Sequence, residues 1–225
     1  MTADMREQRE QVTRVALTEM PPSHPFISNP VPVGVAGFSL TTFTLGLDTT
    51  GMFSPKLTIL VLPLAAFYGG LTQWIAGWFA LRRGDLFAAS FMTTYGAFWW
   101  TYVALVVYVV PRVGTAAGEI TTIFLIMWTV ITIIFTIATL GTNWFVFGTF
   151  VEFSITLIVA FVGSGIPSVP ITHAAGYLEI ILGALGWYIV MAELVNVMVR
   201  RPVFPLFPFK KPLIAPLNTA LGGQP

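Results

Sequence analysis

Long apolar runs alternate with short polar or turn-forming breaks along the whole chain, and the runs have the length of membrane-crossing helices. Six of them reach or approach the roughly 20 apolar residues that a helix needs to cross a hydrocarbon layer. They are Val33 to Leu47, Leu57 to Leu81, Leu86 to Val110, Ile120 to Leu140, Trp144 to Val162 and Ala174 to Val199. The breaks are Asp48-Thr49-Thr50-Gly51, Arg82-Arg83-Gly84-Asp85, Pro111-Arg112-Val113-Gly114, Gly141-Thr142-Asn143 and Gly163-Ser164-Gly165-Ile166-Pro167. All carry the residue types that end helices and make turns. The first run is the shortest, and Pro, Gly and Thr soften its apolar character. The pattern predicts an all-α integral membrane protein with six transmembrane helices in residues 29–201. Residues 1–28 lack the apolar core of a cleaved signal, which predicts a short surface helix and a Pro-rich lead-in. Residues 202–225, with Pro202, Pro205, Pro208, Pro212, Pro216 and Pro225, cannot continue a helix. They are expected to be extended and docked through Phe204, Phe207 and Phe209.

Composition agrees: 56% of residues are hydrophobic and 9% charged, against roughly 25% charged in soluble domains. The absence of cysteine excludes disulfides, thiolate catalysis and Cys-ligated metals. His24 and His173 are the only histidines, so a bis-His haem within one protomer is implausible and no cofactor or metal is expected. The net charge of +1 is uninformative, and no nucleic-acid partner is expected. Its distribution says more. An even number of spans puts both termini on one side, which receives Arg6, Arg9, Arg14, Arg82, Arg83, Arg200, Arg201, Lys210 and Lys211; the other side receives only Lys56 and Arg112. Both termini are therefore expected in the cytoplasm, with the protein in the cell membrane.

Candidate chemistry begins at Asn29-Pro30-Val31-Pro32. Asn29 suits a helix cap, and Pro30 and Pro32 suit a first turn whose N–H groups have no intrahelical partner. Such a helix end can face a small carboxylate, although an ordinary cap explains the same residues. Ionisable groups within spans are candidates by default: Glu152 in the fifth, Glu179 and Glu193 in the sixth, with His173 at its mouth and Gln73 and Asn196 as uncharged companions. Glu179 and Glu193, fourteen residues apart, lie on neighbouring stripes of one helix. They suit a lined path for protons or substrate, or bonds to neighbouring helix ends. His173 suits a proton relay or an interfacial cap. Small residues at Gly69-Gly70, Ala76-Gly77, Gly176, Gly183 and Gly186 predict close helix packing. No nucleophile, base and orienting group occur together, so an enzyme is not expected.

The stretch Asn29-Pro30-Val31-Pro32-Val33-Gly34 with Gly37-Phe38-Ser39-Leu40-Thr41-Thr42 resembles the NPAPLG, GFG and Thr-pair signature of the acetate uptake, or succinate-acetate permease, family. Later segments resemble the family in the same order. They are Phe67-Tyr68-Gly69-Gly70-Leu71-Thr72-Gln73, Thr94-Tyr95-Gly96-Ala97-Phe98-Trp99, and His173-Ala174-Ala175-Gly176 leading to Ala192-Glu193-Leu194-Val195-Asn196. The resemblance spans about Asn29 to Arg201. It implies a six-helix protomer with its own pore, a cyclic homohexamer, and acetate, related short monocarboxylates or succinate as substrate. It also implies an aromatic constriction at Phe38 and Tyr95, with Asn29, Pro30, Thr41, Thr42 and Gln73 along the path; the polar residues read above, His173, Glu179, Glu193 and Asn196, are the candidates for a polar or proton pathway. Departures are Val31 and Val33 for the family's Ala and Leu, Ser39 for Gly, and Glu152 and Glu179 where apolar residues are expected.

These features predict channel-like or proton-coupled passage of acetate-like acids through a lipid membrane. Two alternatives stand beside it: a pore for small neutral solutes such as urea or amides, and a structural or sensory membrane subunit that transports nothing.

Overall fold

Helices joined by short turns make up residues 27–209, which the computed structural model describes. The expected N-terminal surface helix and the tail beyond residue 209 lie outside the described residues. Helix α1 is Val31–Thr49 and α2 is the continuous run Pro55–Arg83. Helix α3, Leu86–Ala104, continues as a π turn over Leu105–Val109. Helices α4, α5 and α6 are Ala117–Ala138, Trp144–Gly165 and Val169–Val199.

Local chemistry sets several boundaries. Gly84 ends α2 with φ +84, a conformation natural to glycine. Asp85 then caps α3 by accepting the Ala88 N–H at 2.9 Å, and Asn143 caps α5 by accepting that of Val146 at 2.9 Å. Helix α6 starts five residues before the expected Ala174, because Pro170 fits its first turn. The apolar pattern gave no sign that α2 passes through a π-helical stretch at Leu64–Thr72, just after Pro63. Proline has no N–H to give, which disturbs the regular ladder around it.

Among the described residues five runs are long and apolar enough to cross a membrane, one of them Leu86–Gly141 at 56 residues. The expected loop at Pro111–Gly114 instead keeps helical turns through Val110–Val113 and Gly114–Ala116. Gly114, at φ +55, supplies a bend that other residues rarely adopt. Past it the chain folds back, as ring pairs running in opposite order show: Phe87 with Phe135 at 6.2 Å, Tyr95 with Trp128 at 5.8 Å and Phe98 with Phe124 at 5.8 Å.

Around the bundle α3 packs on α2, α2 on α1, α1 on α6, α6 on α5 and α5 on α4. The rings between α3 and α4 close the circle. Large apolar side chains such as Ile59, Phe67, Ile134, Ile137 and Met198 are exposed on the outside, as a lipid-facing surface requires. Threonines fill much of the inside. Thr41, Thr44, Thr129, Thr132 and Thr149 return their hydroxyls to the carbonyl four residues back, so burial leaves those oxygens bonded.

The tail turns back across the ends of α5 and α6. Asn196 clamps it, donating to the Phe204 carbonyl at 2.8 Å and accepting the Val203 and Phe204 N–H groups at 2.8 and 2.9 Å. The Phe207 and Leu206 carbonyls accept the Trp144 and Phe145 N–H groups at 3.0 and 3.3 Å. Phe204 meets Tyr188 and Phe209 meets Trp144, whereas the Phe207 ring is exposed and only its carbonyl docks. Asn196→Ala should speed hydrogen exchange at the Phe204 amide by about fivefold or more, since a lost bond is worth roughly 1 kcal/mol. Unchanged protection there would mean that the clamp lies elsewhere.

Candidate functional site

A cavity of about 170 Å³ opens at the end where α1, α3 and α5 begin and α6 finishes. Asp85, Thr142, Asn143 and Glu193 line it together with apolar side chains from Val31, Val35, Leu182 and Ile189. Its floor is aromatic, with Phe38, Phe91, Phe150 and Phe153. The Phe38 ring lies 5.6 Å from Phe91, 5.2 Å from Phe153 and 5.9 Å from Tyr95, centroid to centroid. Tyr95 in turn lies 4.9 Å from Phe153. Edge-to-face and tilted contacts at these separations shut the path.

Phe38 is 4% exposed and Tyr95 is fully buried. Phe38 forms the floor, while Tyr95 sits behind it and does not line the cavity. The Tyr95 hydroxyl bonds Thr132. Because Thr132 gives its own proton to the Trp128 carbonyl at 2.7 Å, Tyr95 is the donor, and only its lone pairs remain for a substrate. Phe91, Phe150 and Phe153 were not singled out by the sequence. The spacing of Phe150 and Phe153 matches one helix face, but fold-level packing was needed to place that face against Phe38.

The start of α1 spends its donors internally. Asn29 Oδ1 accepts the Val31 N–H at 3.1 Å, Pro32 has none, and the Val33 and Gly34 N–H groups both reach the Pro30 carbonyl at 3.1 Å. The Asn29 amide donates to Glu193 Oε2 at 2.9 Å, tying α1 to α6 at the mouth. Asn29 and Pro30 themselves line a shallow groove outside the bundle with Val33, Thr72, Ile75 and Phe79. Glu193 faces the cavity, and Asn196, three residues on, holds the tail.

Level with the floor and just beyond it lie polar atoms with nothing to bond. Gln73 is fully buried and neither its amide nitrogen nor its oxygen has a partner; the same holds for Thr42 Oγ1 and Trp99 Nε1. Thr41 bonds the Gly37 carbonyl at 2.8 Å. Its hydroxyl and the Trp99 indole nitrogen both approach Gly69 so closely that a Cβ there would lie 2.8 Å from each. Gln73 is one turn further along α2 from Gly69. Unpaired buried polar groups are rare in folded proteins, and this group mixes donors and acceptors within a few residues of the constriction. Glu179 lies one turn past the cavity-lining Leu182, on the far side of the rings from Glu193. His173 closes over Gly51 in the α1–α2 connection.

An apolar-skinned helical ring with a narrow vestibule, an aromatic seal and polar atoms around it is a multi-pass membrane transport protein. The chain belongs to the GPR1/FUN34/yaaH family, which matches residues 13–209. Among curated proteins it is 32% identical over 185 residues to the succinate-acetate/proton symporter SatP of Escherichia coli strain K12, covering 80% of this chain and 95% of that protein. It is 31% identical over 187 residues to the glyoxylate pathway regulator of Yarrowia lipolytica, covering 78% of this chain and 66% of that one. Ammonia transport outward protein 2 of Saccharomyces cerevisiae is 27% identical over 176 residues, 74% of this chain and 61% of the yeast protein. Among solved structures the bacterial acetate channel SatP superposes with a TM-score of 0.73 at 31% identity, covering 80% of this chain and 98% of that one.

Proposed function

We propose that the chain moves acetate and related short monocarboxylates, succinate among the possible substrates, across a cytoplasmic membrane, through a pore within each protomer of a cyclic hexamer. The observation that carries this reading is the cavity ending on Phe38, Phe91, Phe150 and Phe153, in a chain that resembles an acetate channel along nearly all of that channel's length. An apolar seal accepts a methyl group and breaks a continuous water column, while polar groups on either side receive the carboxyl end. Residues 29–201 form the transport domain. The run Leu86–Gly141 crosses twice, which makes six crossings, and the Lys and Arg distribution keeps residues 1–28, the mouth and the 202–225 tail in the cytoplasm.

Phe38 is the movable seal and Tyr95 its backing. Asn29, beside Pro30, fixes the entrance through Glu193, Gln73 meets substrate level with the rings, and Thr41 and Thr42 receive it past them. Asn196 secures the rim, while His173 and Glu179 stand at the far end. An anion entering alone works against an inside-negative potential worth about 2.3 kcal/mol per charge per 100 mV. A proton therefore accompanies it, as the name of the bacterial relative suggests for that protein.

The test is uptake of labelled acetate into liposomes holding the full-length protein, with and without an uncoupler, beside labelled urea. Acetate uptake above empty liposomes that collapses with the proton gradient is expected. Large urea flux with acetate at background would establish a neutral-solute pore instead.

A further inference from the structure

Level with the aromatic seal and beyond it, away from the cavity, polar oxygens occur on four helices. Thr42 shares the inner stripe of α1 with Phe38 and Thr49, at spacings of four and eleven residues. It is 4% exposed and its hydroxyl has no partner. From α6, the Glu179 carboxyl lies beside Thr49 and within electrostatic reach of Asp48 and Glu152. From α3, Tyr102 lies within reach of Glu179 and Asp48. From α5, Glu152 accepts the Thr156 hydroxyl at 2.8 Å on Oε1. Yet Oε2 of Glu152 and Oε2 of Glu179 are both sealed from solvent and bond nothing. Asp48 is occupied by Thr58 at 2.6 Å. His173, on α6 itself, covers Gly51, and Lys56, Arg112 and Glu119 are exposed.

Carboxylates that serve only to hold helices together are satisfied when buried, because an unpaired one is expensive. Glu179 continues the α6 stripe of the cavity-lining Leu182 and Gly186, and the unpaired carboxyl oxygens of Glu179 and Glu152 leave bonding capacity that a passing carboxyl group can use. We propose that Glu179, with Glu152 beside it, is a charge filter for the translocated acid. Ionised, the pair repels a carboxylate. Protonated, Glu179 donates its O–H to a carboxylate oxygen of the passing acid. A dicarboxylate meets the repulsion at both ends, so the filter also favours acetate over succinate as the pH rises. This inference rests on the transport reading above.

Labelled acetate and labelled succinate uptake are compared from acidic to neutral pH in liposomes carrying the wild-type protein, Glu179→Gln, Glu179→Asp or Glu152→Gln. In the wild type, uptake should fall towards neutral pH. Glu179→Gln should raise the neutral-to-acidic uptake ratio by about tenfold and bring succinate closer to acetate, because a neutral amide no longer repels the anion. Glu179→Asp keeps the charge and should keep the wild-type profile. Glu152→Gln should flatten the profile in the same direction, and it carries the test if Glu179→Gln does not fold. Wild-type profiles in both glutamine variants would overturn the filter while leaving transport intact, as would a flattened profile in Glu179→Asp. Wild-type uptake no higher than in empty liposomes at every pH would remove the transport reading and the filter with it.

Discussion

Phe38→Ala should let acids longer than acetate through. The ring it removes touches Phe91, Tyr95 and Phe153 at once, so no neighbour can restore the seal by a rotamer change alone. One methylene in an apolar pocket discriminates by roughly 10–200-fold. Losing the ring should therefore raise butyrate uptake relative to acetate by about tenfold or more, measured by competition in liposomes. Deleting a buried Phe side chain also costs about 3–5 kcal/mol in a packed interior, so Phe38→Leu, which keeps most of the volume, belongs beside it. Leucine should give a smaller shift in the same direction with near-normal thermal stability. If both variants transport acetate and neither changes the ratio, Phe38 does not border the passage.

The second large effect is expected where α1 crosses α6. A Cβ on Gly46 would fall 2.7 Å from the Gly176 carbonyl oxygen and 2.7 Å from the Ile180 nitrogen. Both are backbone atoms, which cannot swing aside as a flexible side chain can. Gly46→Ala should force the helices apart and destabilise the fold by about 1–3 kcal/mol, the usual range for overpacking. Thermal unfolding in detergent would show it as a lowered midpoint. Gly148→Ala is the control, because nothing lies within 4 Å of its Cβ position; there alanine should be neutral or mildly stabilising through its higher helix propensity. Equal midpoints for the two variants would mean that the crossing is looser than its geometry indicates.

How much of this was legible in the chain differs by feature. Two of the breaks were readable: Arg82-Arg83-Gly84-Asp85 and Gly141-Thr142-Asn143 fall where α3 and α5 begin, and the structure adds that Asp85 and Asn143 cap those helices. The π-helical stretch of α2 and the helical turn at Pro111 were not, because both depend on how the backbone answers a proline rather than on hydrophobic period. Of the constriction, Phe38 and Tyr95 could be named from the resemblance. Phe91, Phe150 and Phe153 look like any other apolar residue on a membrane helix until three-dimensional packing turns them to one point. The same limit applied to Asn29. It was read as the cap of α1, but the cap position is Pro30, which makes no side-chain cap bond, and the Asn29 amide bond to Glu193 joins residues 164 apart in sequence, which no local pattern encodes.

The tail contact carries a consequence for biosynthesis. Trp144 and Phe145 receive their acceptors from Phe207 and Leu206, residues translated only after every described helix has been made. The first turn of α5 therefore enters the membrane with donors that only water can satisfy, and the vestibule reaches its final shape last. A chain halted before Leu206 has its described helices complete but lacks the acceptors that close the first turn of α5.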